Sequence, residues 1–149
     1  MLRISKRAEV MPLSPIRKLA PLATQAETRG TRVFYLNIGQ PDLPTPQVAL
    51  DSLKHITRTT LEYSPSQGFR SYREKLTKYY AKYDIRLDAD DIIITTGGSE
   101  AVLFAFMSCL DPGDEIIMPE PGYANYKSFA IAAGATIRTI ATTIEEGFS

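Results

Sequence analysis

The spacing of apolar residues predicts an irregular arm, a short helix and a strand in the first part of the chain. Residues 1–14 follow no regular period and predict the arm. Leu22–Arg29 predicts a short helix that Gly30 closes, with Pro21 as an interruption before it. Val33–Ile38 alternates in the manner of a strand and runs into a proline-rich segment, where regular structure ends.

Two further helices are predicted before residue 91. One begins at Thr45-Pro46, since proline is favoured in the first turn of a helix. The other is longer, with apolar and aromatic residues at helical spacing between Phe69 and Tyr83 and charged residues on the opposite face. We interpret its tyrosines as the packing side of an amphipathic helix rather than as a stacking surface.

From residue 91 onward the pattern changes to alternating strands and helices. Ile92–Thr95 is a short apolar run, typical of a strand that is covered on both faces of a parallel sheet. Glu100–Leu110 is apolar nearly all round and predicts a buried helix. A second strand at Glu115–Met118, a helix at Tyr123–Ala133 and a third strand at Ala135–Ile140 follow. Short loops join them, so we predict an α/β fold with a right-handed, doubly wound, mainly parallel sheet.

The predicted sheet is incomplete. Three parallel strands and a fully apolar helix expose more apolar surface than a finished domain tolerates. We therefore expect these residues to be the N-terminal piece of a larger protein.

Composition removes several classes of function. The chain has 149 residues, and 17 Lys+Arg balance 17 Asp+Glu, so the positive charge typical of nucleic-acid and anionic-membrane binders is missing. A single Cys and a single His exclude a disulfide framework and a multi-Cys or His-rich metal centre. No apolar signal segment and no run of about 18 apolar residues occurs, and we expect a cytoplasmic protein.

The turn Gly97-Gly98-Ser99 is the clearest candidate site. It joins a predicted strand to a predicted helix, where free backbone N–H groups, the helix dipole and the Ser99 hydroxyl suit an anion such as a phosphate. It matches neither the dinucleotide nor the P-loop fingerprint. A plain structural turn stays open as the alternative. The negative charge of Glu100 suits the helix but opposes phosphate binding unless its side chain points away.

Three further positions stand out in loops. Tyr123 follows the second predicted strand at the sheet edge where ligands bind in such folds, and it either lies against a planar ligand or packs on its helix. Tyr63 lies in a proline- and glycine-containing loop from which its hydroxyl can reach outward. Gly39 marks a place where the backbone passes close to a ligand or a neighbouring chain.

Taken together, five blocks of sequence resemble the fold-type-I, pyridoxal-phosphate-dependent aminotransferases of the aspartate aminotransferase family (class I/II). The resemblance runs from about Ser14 to Gly147. In chain order, the blocks are Asn37–Pro46, Tyr63–Gly68 with the helix carrying Arg70 and Arg73, Thr95–Ala101, Asp111–Glu115 and Pro119–Tyr123.

The resemblance implies a role for each candidate residue. Gly98 and Ser99, in a turn shaped by Gly97, match the loop that holds the phosphate of pyridoxal 5'-phosphate. Tyr123 matches the aromatic residue stacked on the pyridine ring. Tyr63 matches a tyrosine that reaches the cofactor phosphate of the other subunit, which implies a homodimer with shared sites.

The resemblance also implies substrates and a division of the chain. Gly39 matches the backbone position beside the substrate carboxylate, and the substrates are an L-amino acid and a 2-oxo acid. Residues 1–46 correspond to an N-terminal arm and small-domain segment, and 47–149 to the first part of the cofactor-binding large domain. The family's Schiff-base lysine lies further along, so we expect no catalytic residue and no transamination from these 149 residues alone.

Three other interpretations stay open. The same fold serves C–S lyases and regulators with an aminotransferase-like ligand domain, although no basic helix-turn-helix occurs in this chain. A non-catalytic piece that only packs or dimerises is the second. A general phosphometabolite-binding domain is the third, and it leaves the blocks around Gly39 and Tyr63 without explanation.

Overall fold

The computed structural model describes residues 3–149. Within that range it contains six α-helices, one 3-10 turn and two strands. The helices are α1 (Lys6–Val10), α2 (Ala20–Thr28), α3 (Gln47–Lys54), α4 (Arg70–Ala81), α5 (Gly98–Cys109) and α6 (Asn125–Ala133). The strands are β1 (Glu115–Glu120) and β2 (Thr136–Ala141), and the 3-10 turn is Ala89–Asp91. The chain divides into two units, Met1–Ile38 with Thr96–Ser149 and Gly39–Thr95.

The centre of the first unit is a β1–α6–β2 crossover. The two strands are parallel, in register from Glu115 opposite Thr136 to Glu120 opposite Ala141. Helix α6 packs on β2 and on α5, and its Ala130 is 1% exposed. The predicted second and third strands and the helix between them are confirmed, as is the α/β fold with a partial parallel sheet.

Two predicted strands are not strands in the structure. Among the described residues the sheet contains only β1 and β2, and Ile92–Thr95 and Val33–Ile38 are not part of it. The Ile94 N–H donates to the carbonyl oxygen of Gln67, in a loop, at 3.1 Å. An apolar run predicts extended backbone, but a strand also requires a neighbouring strand, which the local sequence does not specify.

The start of α2 corrects a second prediction. The helix begins at Ala20, so Pro21 lies in its first turn instead of interrupting it. Proline fits there because its missing N–H has no intrahelical acceptor at that position. The helix ends as predicted, with the Gly30 N–H donating to the Glu27 carbonyl at 2.9 Å and the Thr31 N–H to the Ala26 carbonyl at 3.0 Å.

Helix α5 is apolar nearly all round but is not buried. None of its residues is buried, and Phe104 and Met107 are 48% and 62% exposed. Cys109, at its end, is exposed as well. The prediction of a buried helix is therefore wrong for this chain: among the described helices and strands, α5 packs chiefly against α6, which covers one side only.

In the second unit α4 packs against the 3-10 turn. The side chain of Arg73 is buried, and its Nη1 donates to the Ala89 carbonyl at 2.5 Å and to Asp90 Oδ1 at 3.2 Å. The tyrosines near the end of α4 are exposed and contact one another, with Tyr79 and Tyr83 ring centres 5.3 Å apart. Burial of that stripe, predicted from its spacing, is not observed, because nothing in this unit covers it.

None of the helices between residues 3 and 149 combines the length and the apolar character needed to cross a membrane.

Candidate functional site

The turn Gly97-Gly98-Ser99 opens helix α5 directly. The helix begins at Gly98, two residues earlier than the sequence predicted, so Gly98 and Ser99 belong to its first turn. Gly97 precedes it with φ 143° and ψ 171°, a conformation that residues with a side chain rarely adopt. The glycine at 97 therefore sets the direction in which the helix N-terminus points.

The first turn of α5 presents several free hydrogen-bond donors. The backbone N–H groups of Gly98, Ser99 and Glu100 have no acceptor among residues 3–149, since the first bond of the helix runs from Ala101 N–H to the Gly97 carbonyl at 3.3 Å. The Ser99 hydroxyl is exposed and likewise has no partner in that range. Three amides, one hydroxyl and the positive end of the helix dipole form a donor set suited to a phosphate.

Glu100 is the one negative charge in this first turn. Its Oε2 accepts a hydrogen bond of 2.6 Å from the backbone N–H of Thr96, on the chain segment before the helix. The carboxylate is thus turned back toward the preceding backbone. The side chain therefore points away from the free N–H groups, as phosphate binding at this turn requires.

Tyr123 lies between the end of β1 and the start of α6. Its hydroxyl accepts a hydrogen bond of 2.8 Å from Asn125 Nδ2, and its ring meets the Tyr126 ring edge to face at 5.3 Å. The residue is 47% exposed, so part of its surface remains accessible. A Cβ at Gly122 would lie 2.9 Å from the Pro119 carbonyl oxygen, so glycine allows this segment to fold back on the strand end.

The turn and Tyr123 belong to the same unit of the fold. The turn forms the start of α5 and Tyr123 lies two residues before α6, and these two helices pack against each other. Tyr63 and Gly39 belong to the other unit. Tyr63 is fully exposed, at 105%, and its hydroxyl has no partner among the described residues. Gly39 is exposed, and a Cβ there would meet no atom within 4 Å.

Sequence reasoning did not identify Asn125 as part of the site. Its contact with the Tyr123 hydroxyl restrains the ring from the first residue of α6. The sequence feature that indicates this contact is the two-residue spacing between a loop tyrosine and an amide side chain at a helix start. The spacing predicts the contact only if the helix is known to begin after Tyr123.

The remaining ionisable side chains offer no metal site and no enclosed lysine. Among residues 3–149 no group of three or more His, Cys, Asp or Glu side chains is arranged to hold a metal ion. Every lysine of the chain is exposed; they are Lys6, Lys18, Lys54, Lys75, Lys78, Lys82 and Lys127.

Comparison with known proteins defines the class. The family model for aminotransferase class I and II matches residues 31–149, and the chain belongs to that family. It is 30% identical over 147 residues to the aspartate aminotransferase of Thermotoga maritima, covering 97% of this chain and 39% of that protein. It is 38% identical over 148 residues to the probable N-acetyl-LL-diaminopimelate aminotransferase of Bacillus subtilis, covering 97% and 36%.

Solved structures agree with the family assignment. The alanine aminotransferase of Pyrococcus furiosus superposes with a TM-score of 0.90 at 30% identity, covering 98% of this chain and 38% of that one. The aspartate aminotransferase of Thermotoga maritima superposes with a TM-score of 0.88, covering 98% and 40%. The chain thus spans between a third and two fifths of the length of the relatives it matches.

Aminotransferases of this class depend on pyridoxal 5'-phosphate. The residues present fit that group. The free amides and hydroxyl at the start of α5 suit its phosphate, and the accessible part of Tyr123 suits a planar ring.

Proposed function

We propose that the full-length protein is a pyridoxal-phosphate-dependent aminotransferase that moves an amino group between an L-amino acid and a 2-oxo acid. Residues 1–149 form its N-terminal part, and the protein works in the cytoplasm as a homodimer. The observation that carries the proposal is the set of unpartnered donors on Gly98, Ser99 and Glu100, within the part of the chain that the family model matches.

The phosphate of the cofactor is the group that this chain holds most directly. The amides of Gly98 and Ser99 and the Ser99 hydroxyl donate to its oxygens, and the helix dipole of α5 adds to the attraction. Binding at a helix start fixes the position of one end of the cofactor. When bound, pyridoxal 5'-phosphate supplies an electron sink for the bonds at the amino acid's α-carbon.

Two tyrosines position the rest of the cofactor. Tyr123 lies against the ring and excludes water from that face, while Asn125 restrains the tyrosine by its hydroxyl. Tyr63 donates its hydroxyl to the phosphate of the neighbouring subunit. Its complete exposure within this chain supports that role, because a hydroxyl with no partner in its own subunit is available to another.

The substrate contacts of this chain are few. The backbone at Gly39 lies beside the substrate carboxylate, and its open surroundings support an approach by a small anion. We assign residues 1–46 to the arm and small-domain segment and 47–149 to the large domain. The names of the relatives give different substrates, so we propose the substrate class and no single amino acid.

The 149 residues alone do not catalyse the reaction. Amino-group transfer through this cofactor requires a lysine amine that is shielded from water beside the ring. Each of the seven lysines in this chain is exposed, and none lies in a context that matches the family's lysine. The chain on its own therefore binds and orients but does not transfer.

Transfer of a ¹⁵N label from amino acid to 2-oxo acid tests the proposed activity. The full-length protein, loaded with the cofactor, is incubated with a panel of ¹⁵N-labelled L-amino acids and 2-oxoglutarate, and mass spectrometry follows the label. We expect ¹⁵N-glutamate from the full-length protein and none from residues 1–149. Release of a thiol or sulfide from a cysteine conjugate without label transfer would establish a C–S lyase. Absence of cofactor binding would overturn the proposal as a whole.

A further inference from the structure

A hydrogen bond accepted by Glu100 restrains the backbone next to the candidate phosphate site. Its carboxylate accepts the Thr96 N–H at 2.6 Å, and the residue is half-buried. The residue between Thr96 and the helix, Gly97, has no side chain that can cap the N-terminus. Glu100 is the third residue of α5, and its bond is similar to the part of a capping box in which an acidic side chain at that position accepts a backbone N–H from before the helix. The N–H groups of the first turn are left free by it.

A carboxylate at this position acts in two opposing ways. Its charge stabilises the positive end of the α5 dipole, but the same charge repels a phosphate bound to the amides of the same turn. The bond to Thr96 also closes a loop of five residues across Gly97, whose backbone otherwise has exceptional freedom. Closure of this loop favours phosphate binding, because it holds the backbone N–H donors in one arrangement before the phosphate binds.

We propose that Glu100 is a positioning residue for the cofactor phosphate. By holding Thr96, it fixes the turn at Gly97 so that the amides of Gly98 and Ser99 converge on one point. This inference rests on the proposed function, since it assumes that the phosphate of pyridoxal 5'-phosphate binds at this turn. The Glu100 side chain itself does not touch the cofactor.

Two substitutions separate positioning from charge. Glu100→Gln removes the charge but keeps a carbonyl oxygen that accepts the Thr96 N–H, whereas Glu100→Ala removes both. If Glu100 acts only as a negative charge, both variants bind the cofactor more tightly than the wild type. If it positions the turn, Glu100→Gln binds at least as tightly and Glu100→Ala binds about tenfold more weakly, the loss of about one hydrogen bond to a charged group.

The experiment measures equilibrium dissociation constants of the full-length apoprotein for pyridoxal 5'-phosphate and for pyridoxal, which lacks the phosphate. Amide hydrogen exchange at Thr96 is recorded in parallel. We expect Glu100→Ala to weaken binding of the phosphorylated compound alone and to speed exchange at Thr96. Glu100→Met, which keeps the side-chain length without an acceptor, replaces the alanine variant if that variant does not fold.

Asp114→Ala is the matched control. Asp114 Oδ2 accepts the Asp111 N–H at 2.8 Å, the same kind of bond in the turn before β1. Its loss should leave both constants unchanged. The inference is overturned if Glu100→Ala binds pyridoxal 5'-phosphate as well as the wild type, or loses pyridoxal equally. Failure of the wild type to bind either compound overturns the proposed function instead.

Discussion

Gly68 and Ile94 are packed so closely that position 68 has no room for a Cβ. An atom there would stand 2.5 Å from Ile94 Cγ1, and φ at Gly68 is +87°. The neighbouring Gln67 accepts the Ile94 N–H at 3.1 Å. The loop that carries Tyr63 is therefore fixed, at its C-terminal end, to the extended segment Ile92–Thr95.

Gly68→Ala is expected to destabilise the protein by about 2–4 kcal/mol, because the left-handed backbone strain and the overlap with Ile94 add together. Gly30→Ala is the control: φ there is +80°, but a Cβ would meet no atom within 4 Å. That variant carries the backbone strain alone, about 1 kcal/mol. Urea unfolding of both variants measures the difference, and equal losses would show that the Gly68–Ile94 contact does not matter.

Ser99→Asp is expected to abolish cofactor binding. The new carboxylate would stand among the free amides of the first turn of α5 and occupy the place of the phosphate. Ser108→Asp, an exposed serine near the other end of the same helix, introduces the same charge away from the turn. Cofactor content after dialysis of the two full-length variants is the measurement. Full occupancy of Ser99→Asp would show that the phosphate binds elsewhere.

Tyr123→Ala is expected to weaken cofactor binding by up to about tenfold, because the ring contributes roughly 0.5–1.5 kcal/mol by stacking beyond its buried area. Tyr123→Phe keeps the ring and loses only the hydrogen bond from Asn125, so we expect a smaller loss of cofactor affinity. Tyr83→Ala, at an exposed tyrosine just after the end of α4, serves as the control for loss of an aromatic ring. Titration of each full-length apoprotein with pyridoxal 5'-phosphate measures the affinity. Unchanged affinity in Tyr123→Ala would show that Tyr123 does not contact the cofactor.

Glu115 and Arg138 tie the two strands together in a manner that depends on pH. Arg138 Nε donates to Glu115 Oε1 at 2.7 Å, and this hydrogen bond, with the guanidinium charge, lowers the pKa of Glu115. A lowered folded-state pKa contributes stability above the unfolded-state pKa, and the contribution is lost as pH falls through the folded value. Arg138→Gln should therefore raise the Glu115 pKa and remove this part of the acid sensitivity.

Carboxyl NMR titration measures that pKa directly. Lys127→Gln removes a positive charge from an exposed position on α6 and should leave the Glu115 titration as it is. A Glu115 pKa that is the same in wild type and Arg138→Gln would show that the pair is not formed in solution.

Short-range features of this protein follow from the sequence alone. A helix or a turn depends on contacts between residues about four apart, so the spacing of apolar residues, the prolines and the glycines predict α3, α4 and α6 closely. The sequence also predicts the glycine turn at the start of α5, the positions of β1 and β2 and the family to which the five blocks belong. The pairing of β1 with β2 is itself a contact between residues far apart in the chain.

Only the tertiary structure decided which surfaces and strand edges have partners. The sequence predicts a buried strand at Ile92–Thr95 and a buried helix at Glu100–Leu110. Among the described residues, however, the first belongs to no sheet and the helix contains no buried residue. Glu100 turning back to Thr96, and Asn125 holding Tyr123, were likewise not determined by residue type. The physical reason is that the residue types determine how strongly a side chain or a strand is stabilised by a partner. The path of the whole chain determines whether that partner lies next to it.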